Sequence, residues 1–193
     1  MVRIVIGAAA AALAMFFIGF LFYGPLGLLN LGAGDLSDAQ AAAVQQSLAA
    51  NLPHTGTYFV PFAEGSAAQT VMYGQGPIAT IHYNTRGFAA VDTATLVTGL
   101  GFNFLIALFI GLALRGIDDR VTDFASRARV AIILGLAAVA YTHLSEPIYY
   151  HHDWPHFVYI FVADGLMLVA AGLILAWFLP GRVAAPKDAP TEV

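Results

Sequence analysis

The sequence contains no cysteine, which removes disulfides, thiolate metal ligands and cysteine nucleophiles from consideration. Charge is scarce as well: 10% of the 193 residues are Asp, Glu, Lys or Arg, against roughly 25% in an ordinary soluble domain. The net charge is −4 and no basic block extends beyond a short arginine cluster, so nucleic acid is not an expected partner. No G-x-S-x-G is present, which leaves a hydrolase triad without support. The turn-like "YGQGP" and "NTRG" lack the following G-K-[ST] of a phosphate loop. No repeat recurs at a solenoid period.

What the chain has instead is apolar length, with 59% hydrophobic residues. Four runs match the roughly 20 residues that a helix needs to cross a hydrocarbon core: residues 4–24, 94–114, 130–150 and 157–178. Pro25 suits the end of the first helix. That run is longer than the roughly 7–15 apolar residues of a signal peptide and no clean A-x-A site follows, so it reads as an uncleaved anchor. Arginine and lysine then set the orientation. Arg115, Arg120, Arg127 and Arg129 lie between runs two and three, Arg3 precedes run one, and Arg182 and Lys187 follow run four. Segment 25–93 has only Arg86, and 151–156 has none. The positive-inside rule puts both termini and the arginine connection in the cytoplasm. All six histidines, His54, His82, His143, His151, His152 and His156, then fall toward the opposite side.

Segment 25–93 is the only place for an extramembrane fold, and it reads as a small α+β lobe. "LSDAQAAAVQQSLAANLP" predicts an amphipathic helix with Ser37 or Asp38 as N-cap and a stop at Asn51. "TGTYFVPF" and "PIATIHYNT" predict two short strands, and "AEGSAAQTVMYGQG" between them a helical turn. Alone, such a lobe buries little core and is expected to lean on the helices or on a partner. Arg86, its one cation, is expected in an internal salt bridge. Residues 180–193 read as a disordered cytoplasmic tail. With "LPHTGTYFVP", "GPIATIHYNTRG" and three further helices behind a first anchor, the chain resembles a family of small bacterial four-helix inner-membrane proteins. The resemblance implies a bacterial inner membrane and carries no activity.

The ionisable groups concentrate in "YTHLSEPIYYHHDWPHF", residues 141–157. A charged group within a span costs about 2.5–3.5 kcal/mol on insertion scales, which makes His143, Glu146 and Asp164 functional suspects. His143 and Glu146, at i and i+3, share a helix face. His143 and Asp164 lie equally far from a turn near 153–154, each roughly 10 Å below its helix end. Equal depth in an antiparallel hairpin predicts a hydrogen bond between them. Three readings stay open. The first is interhelical polar glue, with Tyr149, Tyr150, Trp154, His156 and Tyr159 as an interfacial aromatic belt. The second is a metal site for Zn, Cu or Fe built from His143, Glu146, His151, His152 and His156, with Asp164 as ligand or support. The third is proton chemistry, which lacks acids or histidines in the inner half of any helix to continue a path. On the second helix Gly99, Asn103, Ala107 and Gly111 form a small-residue stripe, for packing within the chain or for a homodimer.

The expected architecture is therefore an all-α membrane bundle of four transmembrane helices (1–24, 94–114, 130–150, 157–178), with the lobe between the first two on the extracytoplasmic side. The expected function is that of a non-enzymatic accessory, assembly or binding protein of the inner membrane, in contact with lipid and a membrane-protein partner or a second copy. The alternative is a metal-binding protein or metalloenzyme at the outer ends of helices three and four. Here no catalytic residue is assigned.

Overall fold

Long runs of Ala, Leu, Ile, Val and Phe favour intrahelical hydrogen bonding, and the chain is mostly helical. The computed structural model describes residues 1–24 and 28–179; Pro25, Arg182, Lys187 and the expected tail 180–193 lie outside the described residues. Helix α1 spans Val2–Tyr23 and is followed by a 3-10 turn, Leu28–Leu31. Then come α2 (Asp38–Asn51), β1 (Gly56–Val60), α3 (Ala67–Gln75) and β2 (Ala79–Tyr83). Helix α4 covers Thr93–Gly116, α5 Phe124–Val139, a π turn Ala140–Leu144, α6 Ser145–Tyr150 and α7 Trp154–Phe178. Among the described residues four helical stretches are long and apolar enough to cross a membrane: α1, α4, the continuous stretch Phe124–Tyr150, and α7.

Two of these begin earlier than hydropathy indicates, and in both cases an aspartate cap is the reason. Asp123 accepts a hydrogen bond from the Ser126 backbone N–H at 3.0 Å, so the third span opens at Phe124 instead of near Val130. That same bond holds the Asp123 carboxyl below its ordinary range. Asp153 accepts from the His156 N–H at 3.1 Å, and with Pro155 in the first turn α7 opens at Trp154.

The chain divides into two units, residues 1–33 with 93–193, and Gly34–Asp92. In the first, α1 and α7 pack along each other, α4 lies against α1 and α5 against α7, while α4 and α5 barely meet. The core is alanine-rich: Ala8, Ala11, Ala107 and Ala171 are wholly buried around Ile4, Met15, Leu114 and Leu175. Such contacts suit a setting where close backbone approach, not expulsion of water, drives helix association. Gly172 of α7 shows how close: a Cβ there would stand 2.7 Å from the Ala131 Cβ of α5. Arg127, expected among the loop charges, is instead 1% exposed within α5. Its Nε donates to the Val121 carbonyl and its Nη1 to the Leu179 carbonyl, both at 2.9 Å, which ties the α4–α5 connection to the end of α7.

In the second unit β1 and β2 pair antiparallel, from Gly56↔Tyr83 to Val60↔Ala79. Thr55 and Thr85 close the open end, their hydroxyls 3.0 Å apart. Between the strands, α3 is capped by Ser66, and Gln69 Oε1 accepts the Phe62 N–H at 2.9 Å. Helix α2 starts at the Ser37 cap, reciprocated by the Gln40 side chain, and stops at Asn51 as its sequence predicts. It does not behave as an amphipathic helix, because none of its residues is buried. Val44 and Leu48 are the only large apolar side chains among its alanines and glutamines, too little for a packed face. No residue of Gly34–Asp92 is buried.

Candidate functional site

The third span contains one residue that a regular helix does not tolerate. Pro147 has no N–H for the His143 carbonyl four residues earlier, and its ring crowds that carbonyl. The chain answers by winding wider just before it, in the π turn Ala140–Leu144. His143 sits in that turn, where π distortions often accompany functional side chains. Pro147 is the sequence signal for this distortion.

His143 Nε2 lies 2.8 Å from Asp164 Oδ2 of α7, the contact that the equal-depth count anticipates. Both side chains are largely covered, at 16% and 33% exposure. The other carboxylate oxygen, Oδ1, accepts the Tyr23 hydroxyl of α1 at 2.7 Å. Asp164 thus contacts the Tyr23 hydroxyl with one oxygen and His143 Nε2 with the other, and joins three elements far apart in sequence. Tyr23 was not among the residues that sequence reasoning singled out. Nothing local marks it, since its role arises only from the packing of α1 against α7.

Two further bonds fasten the same end. The Tyr159 hydroxyl donates to the Phe22 carbonyl at 2.6 Å. His156 Nδ1 stands 2.9 Å from the Gly32 carbonyl, so this nitrogen carries the hydrogen. Gly32 is needed at that crossing, where a Cβ would meet the Tyr159 Cβ at 2.7 Å.

Glu146 does not join His143. Its Oε2 lies 3.4 Å from His152 Nδ1, an ion-pair separation, while the His152 ring stacks on Phe157 at 5.3 Å and on Tyr150 at 5.7 Å. His151 ends α6 in the left-handed region, at φ 57°, and is exposed. In the second unit His82 Nδ1 is 3.0 Å from the Thr57 hydroxyl, and His54 packs edge-on against Tyr58 at 6.0 Å. Among the described residues no three of His, Asp and Glu are grouped to hold a metal ion, so the set His143, Glu146, His151, His152 and His156 is spread over separate local contacts.

The stripe on α4 divides in two. Ala107 is wholly buried, and a Cβ on Gly111 would come within 2.9 Å of Ile4 and 3.2 Å of Leu175. At the other end a Cβ on Gly99 would meet nothing within 4 Å. Gly99 and Asn103 line an open groove of about 390 Å³ beside Phe16, Phe20 and Tyr23 of α1. Arg86, expected in a salt bridge, has its guanidinium 5.8 Å from the Phe88 ring centre, in cation–π range.

No protein-family model, curated protein or solved structure matches this chain.

Proposed function

We propose that the chain is a multi-pass bacterial inner-membrane protein with both termini cytoplasmic, acting without chemistry of its own as an accessory, assembly or binding protein at the periplasmic face. The observation that carries the proposal is the state of the second unit. Gly34–Asp92 has secondary structure, caps and a two-stranded sheet, yet buries no residue. It leaves Phe59, Phe62, Val71, Met72 and Phe88 between 43% and 66% exposed. A segment of that size needs apolar burial to offset its ordering entropy, and exposed apolar surface of this kind marks an interaction face. The orientation rests on the arginine distribution. The ionisable cluster supports the same reading, because Asp164 uses both of its oxygens inside the protein. A Zn, Cu or Fe centre would have to break these pairs to assemble a ligand set.

Photo-crosslinkers replacing Val71 and Phe88 in the full chain, in its native membrane, test the proposal. The expected result is one discrete adduct of fixed mass from both positions, with a second copy of the chain or another membrane protein as the captured species. Crosslinking only to lipid, with the purified protein monomeric, would contradict it.

A further inference from the structure

At the end of the helices opposite the His143–Asp164 pair, where α1 begins and α4 and α7 finish, a cavity of about 350 Å³ is lined by Met1, Val2, Arg3, Ile4, Arg115 and Leu179. Two of these six are cations and none is an acid. Among the described residues the Arg3 guanidinium makes no ion pair or side-chain hydrogen bond. Arg115 is held in place from behind: one of its nitrogens donates to Asp118, whose carboxylate is 10% exposed. That bond uses part of a fork with five donors, and the side chain is 42% exposed.

The end of α7 would normally weaken such a site, because unsatisfied carbonyls concentrate negative potential at a helix C-terminus. Here Arg127 donates to the Leu179 carbonyl and offsets that potential beside the cavity. The depth of the site is marked by Trp177, 73% exposed in the last turn of α7, a residue type that gathers at the membrane–water interface. Positive-inside topology explains why arginines stand at this end, but not why two of them converge on one concavity.

We propose that this cavity binds a phosphate-bearing anion, with Arg3 and Arg115 as its cationic contacts. Guanidinium forks match phosphate oxygens in pairs, and basic pockets between membrane helices at this level take lipid head groups. The volume lies at the small end of ligand sites, roughly 300–1,000 Å³, which suits a head group or a small phosphate ester.

The test uses the full chain, delipidated in detergent, titrated with short-chain phosphatidylglycerol, short-chain phosphatidylcholine and inorganic phosphate, with bound ligand counted by native mass spectrometry. Saturable binding of phosphatidylglycerol over phosphatidylcholine is expected, weakened about fivefold or more by Arg3→Ala and again by Arg115→Ala. Arg86→Ala, outside the cavity, keeps wild-type affinity. Displacement by inorganic phosphate identifies a soluble phosphate ligand, and resistance to it a lipid; both support the site. Equal binding of the two lipids without phosphate binding, or undiminished affinity in Arg3→Ala, overturns it. Among the described residues the Arg3 side chain makes no ion pair or hydrogen bond, so its replacement reads the cavity and not the fold.

Discussion

Asp164 is the residue on which the polar cluster between the helices turns. Its two oxygens hold Tyr23 at 2.7 Å and His143 at 2.8 Å, so one carboxylate links α1, the π turn and α7. Interhelical hydrogen bonds in membrane proteins average about 0.6 kcal/mol and reach about 1.7. Asp164→Ala should therefore lower unfolding stability in detergent by about 1–2 kcal/mol, with Tyr23→Phe and His143→Ala each costing about half of that. Denaturant titration of the single and double variants would show it, and an Asp164→Ala protein as stable as wild type would sink the idea of a shared fastening. How far this was legible in the sequence differs by residue. The His143–Asp164 contact follows from counting equal distances back from the hairpin turn. Tyr23 does not, because no spacing encodes which neighbour α1 will choose. Arg127 is legible as a charge but not as a buried one, since the hydropathy run starts only at Val130. The Asp123 cap that moves the start forward is a single side-chain bond, invisible to a hydropathy run.

At the scale of elements, the small-residue stripe of α4 makes two opposite statements about two glycines. Gly111 faces Ile4 and Leu175 at distances too short for a methyl group, whereas Gly99 faces open space. Gly111→Ala should destabilise by about 1–3 kcal/mol through overpacking. Gly99→Ala should be neutral or stabilising by up to about 1 kcal/mol, the helix-propensity gain of alanine over glycine. Thermal unfolding of the two variants side by side would decide it, and equal losses would mean that Gly99 packs against something. Spacing alone treats the four stripe residues alike; only the neighbours each one meets in the folded chain separate them. The same limit applies to the third span. Its apolar length was legible, and Pro147 signals a distortion, but that the distortion is a π turn carrying His143 needs the backbone itself.

Across the whole molecule two kinds of polar group answer different needs. At the end where α1 finishes and α7 begins, side chains are spent on one another: Asp164 on His143 and Tyr23, Glu146 on His152, His156 on the Gly32 carbonyl. At the other end Arg3 and Arg115 line an open cavity. The unit Gly34–Asp92 has its two strands and the Ser37-capped α2 where the sequence puts them, and a full helix α3 where it predicts a helical turn, yet no buried residue. Local propensity and turn chemistry were enough to read its elements. What its exposed apolar side chains serve was not legible, because turn chemistry and local propensity specify elements and not their contacts. We propose that the histidine-rich end fastens helices. Elemental analysis of detergent-purified protein, wild type beside His143→Ala and Glu146→Ala, tests it most directly. The account predicts metal far below stoichiometry in all three and a wild-type melting temperature unmoved by chelator. About one Zn, Cu or Fe ion per chain in wild type, lost in both variants, would contradict it.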